Sequence, residues 1–357
     1  MYYRIADVTL QSEIALPSFT VFAVRSAAPD VTLCLTKEMP PDGKEIRSGD
    51  IIHRAIPGGW YCHGAGDASE GLFISDDYTV LRYRGFSGNL AERYVRLALE
   101  CLLSRRGYVS LHAAAVALDG KAFLFMGPSG IGKSTRAQAW TEALGAELIS
   151  GDRPLLNVET MEVFGVPWDG KEQCFRSVRL PLCVICEVRR GKRPRIRKLS
   201  TAQSRRLLAR QCFMPMWDTE TAVIQMHNLI LLSTRGRILR TFSDPSPDAA
   251  RVLRDIILNQ TELEEKRDMK AKQGFILRNV VEEHILMPVD ENIGIYKGAV
   301  LLNSTSAFVW EKLQQDISRD DLLSAILEEF DIDEATAEKD LDQLLEKLDQ
   351  MNLIERA

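Results

Sequence analysis

The chain has 357 residues, 45% of them hydrophobic and 27% charged, with a net charge of −5 at neutral pH, which is ample for two or three domains with proper cores. No stretch approaches the ~18 consecutive apolar residues of a membrane-spanning helix, and the start, MYYRIADVTLQSE, lacks the basic-then-apolar layout of a signal peptide. A cytoplasmic protein without a membrane partner is expected, and seven cysteines, an odd number, fit reduced thiols better than a disulfide framework.

In chain order, residues 1–89 read as strand-rich: VTLCL, GWYCH, GLFIS and TVLRYR are short apolar runs separated by turn clusters such as PPDG at Pro40 to Gly43. From Leu90 to Ser104 the spacing of Tyr94, Leu97, Ala98 and Leu102 is helical. YVSLHAAAVAL and KAFLFM then flank Asp119-Gly120, the strongest short hairpin signal. Cys183 and Cys186, in the strand-like LCVICEV, are expected on opposite faces of a sheet, a poor arrangement for redox pairing or shared metal binding. The five histidines show no metal-ligand spacing.

Directly after the hairpin stands GPSGIGKST, comprising Gly127, Pro128, Ser129, Gly130, Ile131, Gly132, Lys133, Ser134 and Thr135. It satisfies the full G-x-x-x-x-G-K-[ST] phosphate-binding pattern, between the strand Lys121 to Met126 and a helix from Ser134 to Leu144 stopped by Gly145. Glycines let the backbone amides turn inward onto phosphate oxygens, Lys133 would reach the β/γ-phosphates and Ser134 would bind Mg²⁺. ATP is therefore the expected ligand, on a strand that differs, through its hairpin, from the parallel strand of an ordinary nucleotide-binding fold. Phosphoryl transfer also needs a carboxylate near the γ-phosphate. Asp152, where LISGDRP leaves a strand, is the candidate, alternatively a turn cap, and His112 on the preceding strand could reach the same site or be structural.

From Arg189 to Arg210 ten Lys/Arg occur without one Asp/Glu, either a cover for phosphates or an acidic substrate segment, or a solvated basic hairpin and helix start. Residues 259–273 are mostly charged and read as a linker after a core at 90–258. The remainder, 274–357, shows three candidate strands, near Phe275 to Asn279, His284 to Pro288 and Ala299 to Asn303, then three helices. Ser318 and Asp333 are the expected caps by residue type, and Leu322, Ile326, Phe330 and then Ala337, Leu341, Leu344, Leu348, Met351 line the faces. From Gly274 on, 7 Lys/Arg face 19 Asp/Glu, against 38 and 31 before it. A tail near −12 is a poor partner for nucleic acid.

His112, the hairpin, GPSGIGKST and LISGDRP, in that order, resemble the HPr kinase/phosphorylase fold. GVPWDGK at Gly165 to Lys171, PLCVICEV and FMPMWDTE at Phe213 to Glu220 are similar to its relatives that phosphorylate ribosomally made peptides such as lasso peptides. Where HPr kinases carry two adjacent aspartates this chain has Gly151-Asp152, so the resemblance carries over a metal role for Asp152 while the general base usually assigned to the first aspartate passes to His112, Asp152 or a substrate group. The tail, with NSTSAFVW and the final LIE, resembles PqqD-like winged-helix modules that recognise leader peptides. The resemblance implies strand addition at Val300, Leu301 and Leu302, with apolar side chains against Leu341, Leu344 and Leu345. A DNA-binding winged helix is the competing reading of that topology. The expectation is an α/β HPr-kinase-like P-loop core with a strand-rich N-terminal region and a small winged-helix domain, acting as an ATP- and Mg²⁺-dependent kinase of a Ser/Thr hydroxyl in a precursor peptide. Alternatives are a kinase of a small metabolite or carrier protein, and a nucleotide-gated binding module. The sequence leaves the oligomeric state, a homo-oligomer included, open.

Overall fold

The computed structural model describes residues 1–168, 174–259, 269–280, 283–289 and 299–356, which form a mixed α/β structure with several sheets and eight α-helices. Contacts divide it into two compact units, Met1–Leu263 and Glu264–Ala357. The first begins with β1 (Tyr2–Ile5), β2 (Val8–Ser12), a 3-10 turn (Pro17–Phe22), β3 (Ala23–Val24), β4 (Val31–Leu35), β5 (Glu45–Ser48), β6 (Ile51–Ile56), β7 (Gly59–Gly64), β8 (Asp67–Ser75) and β9 (Val80–Arg84). These make one sheet in the order β3-β1-β2-β4-β9-β8-β7-β6-β5. Helix α1 (Gly88–Arg105) starts at Ser87, whose side chain accepts from the Leu90 amide, and buries Tyr94, Val95, Ala98, Leu99 and Leu102 in the same core as Leu10, Leu33 and Leu72 of the sheet.

A second sheet follows from β10 (Tyr108–Ser110), β11 (Ala113–Leu118), β12 (Lys121–Met126), β13 (Glu147–Ser150), β14 (Leu155–Asn157), β15 (Glu162–Phe164), β16 (Arg179–Arg189), β17 (Arg195–Lys198) and β18 (Ile238–Phe242). Helices α2 (Lys133–Leu144) and α5 (Pro247–Asn259) cover one face, meeting Phe123, Phe125 and Val184; α3 (Thr201–Gln211) and α4 (Thr219–Arg235) cover the other, meeting Leu124 and Ile185. Both faces of β12 and β16 are thus buried, which is why their sequences read as near-continuous apolar runs rather than alternating ones. Trp140 of α2, fully buried, packs on Phe123 and Phe125 at ring distances of 5.0 and 5.2 Å. Deleting such a side chain costs about 3–5 kcal/mol, so the helix after the glycine-rich loop is firmly held to the strand before it. Asp119 and Gly120 take φ of 51° and 73°, the left-handed pair that a two-residue hairpin turn demands.

In this unit four expectations change. The strand β12 pairs antiparallel with β11 and also parallel with β16, so the hairpin does not exclude a parallel neighbour. The run before the hairpin is broken: Leu111 bridges to Cys212, and His112 lies in the break between β10 and β11, its amide bonded to the Gln211 carbonyl at 2.6 Å. The basic run is not a hairpin, because β18 lies between β16 and β17, parallel to the first and antiparallel to the second. Finally, a register shift opposite Ala122–Phe123 gives β16 an extra residue. Such a bulge resets the alternation of faces, and Cys183 and Cys186 both pack into the α2/α5 core; both are free thiols.

In the second unit, β19 (Met269–Ala271) pairs with β23 (Ile354–Arg356), and β20 (Phe275–Val280), β21 (Glu283–Pro288) and β22 (Val300–Leu302) form a three-stranded sheet in that order. Residues 269–271 therefore form a strand inside the stretch read as linker, since Met269 and Ala271 carry apolar side chains into the tail core; residues 260–268, like 169–171 of GVPWDGK, lie outside the described residues. Helices α6 (Ser304–Lys312), α7 (Arg319–Glu329) and α8 (Glu334–Gln350) are capped by Asn303, Ser318 and Asp333, each accepting from an amide three residues on. Leu313, Leu322, Ile326, Leu341, Leu345, Leu348 and Leu353 close a core of their own.

Candidate nucleotide and peptide sites

The glycine-rich loop of the GPSGIGKST motif leaves the buried end of β12 and turns into α2. Pro128, Ser129 and Gly130 at its tip are exposed, and Gly130 and Gly132 take φ of 80° and 101°, backbone that residues with a Cβ rarely adopt. Alternation of handedness at such glycines is the backbone geometry by which successive amides can face one anion. Gly127 is tight for another reason: a Cβ there would stand 3.0 Å from the Ile131 Cγ2 and 3.5 Å from the Val188 carbonyl oxygen. Lys133, in the first turn of α2, is buried and donates through Nζ to the carbonyls of Gly127 and Pro128 at 3.0 and 3.2 Å. Ser134 and Thr135 beside it are exposed.

Topology brings the other two candidates to the same edge. Ala113, which follows His112, pairs with Met126, which precedes Gly127. Ser150 at the end of β13 pairs with Ala115, and its hydroxyl donates to the Asp152 carbonyl at 2.6 Å, holding the turn that carries the carboxylate. His112 Nε2 and Asp152 Oδ1 are 3.7 Å apart with side chains 35% and 32% exposed, so both remain within reach of a ligand. Burial pushes the His112 imidazole below its usual range, the Lys133 charge adds to this and Asp152 opposes it. Burial likewise lowers Lys133, again against Asp152. The imidazole is thereby biased toward its neutral form, which can accept a proton, beside Asp152 and Lys133.

Sequence reasoning missed a charged network at the adjoining strand end. Glu187 of β16 pairs with Met126 in register. It is buried and accepts from Arg240 Nε at 2.7 Å and Arg189 at 2.9 Å. Arg136, buried on α2, donates to the Ser243 hydroxyl and, at 3.0 Å, to its carbonyl. The available signal was a carboxylate inside the otherwise apolar VICEV, where an unpaired charge would not be tolerated.

In the tail, a groove of about 540 Å³ runs between β22 and α8. Val300, Leu301, Leu302, Leu341 and Leu344 all line it. Leu345 does not, because it turns into the tail core at 5% exposure; the helix period brings Leu348 and Met351 to the groove instead. Among the described residues β22 pairs only with β21, and Leu301 is 65% exposed.

Residues 283–354 match the family model described as coenzyme PQQ synthesis protein D (PqqD). Among solved structures, the chain is similar to TbiB1 in complex with the TbiA(beta) leader peptide, with 21% identity over 24% of this chain and 94% of that one and a TM-score of 0.21. It is also similar to lasso peptide synthetase B1 complexed with the leader peptide, with 16% identity over 25% and 98% and a TM-score of 0.21. No curated protein matches the chain. No helix among the described residues is long and apolar enough to cross a membrane.

Proposed function

We propose that the chain is an ATP- and Mg²⁺-dependent kinase that phosphorylates a Ser or Thr hydroxyl of a ribosomally made precursor peptide, while the tail holds the leader. The first unit is read as an HPr-kinase-like core and the tail as a winged-helix module. The observation that carries the kinase reading is the meeting of Lys133, His112 and Asp152 at the edge of the sheet where the phosphate-binding loop leaves β12. The PqqD match over residues 283–354 and the apolar groove beside the edge of β22 support leader binding by strand addition.

The acceptor oxygen would attack the γ-phosphorus as the bond to the β,γ-bridging oxygen breaks and its electron pair leaves on ADP. His112, neutral before the step, takes the hydroxyl proton at Nε2, and Asp152 steadies the resulting cation. Lys133 and the loop amides stabilise charge moving onto the leaving phosphate. Mg²⁺, when bound, neutralises phosphate oxygens; the exposed Ser134 hydroxyl and the Asp152 carboxylate are suitable oxygen ligands, few enough to leave positions for phosphate and water.

The test is transfer of labelled phosphate from ATP to short peptides encoded beside the gene. Lys133→Ala should lower it at least ~10²-fold; wild-type transfer by the folded variant defeats the assignment. Leu344→Lys in the full chain should weaken leader binding about tenfold by charging the groove, with ATP hydrolysis unchanged. One feature favours a second reading, a nucleotide-gated peptide-binding module: Gly151 supplies no carboxylate. Slow ATP hydrolysis without any phosphopeptide would select it.

A further inference from the structure

We propose that the acceptor segment phosphorylated at the nucleotide loop is acidic, and that the crossover Arg190 to Pro194 receives its carboxylates through Arg190, Lys192 and Arg193; this rests on the kinase reading above. The strand β16 outruns β12. Glu187 is opposite Met126, the last residue of β12, so Val188 and Arg189 continue alongside the phosphate-binding loop, the Val188 carbonyl against Gly127. The chain then crosses the end of β18 to reach β17.

This crossover is held in position. Gly191 lies so close to Phe242 that a Cβ would stand 3.0 Å from the Phe242 Cβ, and the Arg195 guanidinium lies 4.4 Å over that ring. The Ser243 amide donates to the Arg189 carbonyl at 3.4 Å, and Ser243 is gripped by Arg136 of the nucleotide helix. Loop, helix and crossover are thus tied together at one edge.

Charge on the crossover is sorted. Glu187 pairs with both the partly exposed Arg189 and the buried Arg240, whereas Arg190, Lys192 and Arg193 are exposed and no carboxylate among the described residues pairs with them. Like charges carried side by side on a pinned segment repel one another, so they favour an anionic partner. The triphosphate already has the loop amides and Lys133, which leaves the peptide as the partner for these three.

The experiment compares two short fluorescent serine peptides, identical except that glutamates flank the serine in one and glutamines in the other. Their anisotropy is followed on the full-length protein with a non-hydrolysable ATP analogue. Wild type should bind the glutamate peptide about tenfold more tightly at low salt, the preference shrinking as NaCl rises. The variant Arg190→Gln/Lys192→Gln/Arg193→Gln should lose that preference and keep its affinity for the ATP analogue. No preference in the wild type, or a preference that survives in the variant, overturns the proposal; so does a variant that loses the nucleotide instead. Transfer to the bound peptide is scored separately, so its absence counts against the kinase reading while the anion preference stands.

Discussion

Glu187→Gln is the sharpest probe of how the sheet edge beside the glycine-rich loop is built. The side chains of Glu187 and Arg240 are only 6% and 8% exposed and meet at 2.7 Å; burial pushes the Arg240 guanidinium down and Glu187 opposes it. Amide replacement keeps the shape and removes the charge that offsets a buried cation. Breaking one side of a buried pair costs about 3–5 kcal/mol, and at about 2–4 °C per kcal/mol for a unit of this size the midpoint should fall on the order of 6–12 °C at the lower bound. Thermal unfolding followed by near-UV circular dichroism checks this. The double variant Glu187→Met/Arg240→Met removes the buried pair together, leaves the quarter-exposed Arg189 to water, and should recover at least half of the loss, as buried pairs replaced by packed apolar side chains commonly do. A single variant within about 0.5 kcal/mol of wild type, or a double variant worse than the sum of the singles, would refute the claim that this pair holds the strand end.

NMR titration should find the His112 imidazole protonating below the ordinary histidine range; removing the Lys133 charge should raise its pKa and Asp152→Asn should lower it, following the causes found in the structure. Any rate that depends on neutral His112 should therefore rise with pH through a point below the usual value and be level above it. His53 is buried, stacked on Trp217 at 3.6 Å, with its pKa lowered to about 4, chiefly by burial. Its folded value lies below the unfolded one, so its stabilisation is complete above about 6.5 and is lost as pH falls toward 4, about 3 kcal/mol in all. Urea midpoints of wild type and His53→Gln should converge over that window; parallel curves would exclude the mechanism.

Much of the local structure was legible because it is written in neighbouring residues. Asp119-Gly120 dictates its own turn, Ser318 and Asp333 cap helices with amides three residues away, and the glycine pattern at 127–132 requires the loop conformation observed. What escaped was long-range. Nothing within Arg189 to Arg210 says that β18, some forty residues on, will separate β16 from β17, so a run that reads as a hairpin becomes a crossover. The bulge at Cys183 depends on the neighbour β12, and Leu345 differs from Leu344 only by which side of α8 meets the tail core. Glu187 showed as an oddity in an apolar strand, but its partners Arg189 and Arg240 come from two strands.

The sharing of one core between the strand-rich beginning and the α/β sheet bears on how such a chain can be rearranged by descent or by design. Leu10 and Leu33 pack in the same cluster as Tyr108, Leu155 and Trp217, and Tyr78 of the β8–β9 turn donates to the helix cap Asp218 at 2.6 Å. Cutting the gene near residue 89 would strip α1 of the sheet it lies on and bare a wide apolar surface to water. The tail, whose buried leucines contact one another, carries no such debt. Recombination can graft or discard a unit with its own core as a cassette, whereas the first ninety or so residues and the sheet that carries the glycine-rich loop are inherited together.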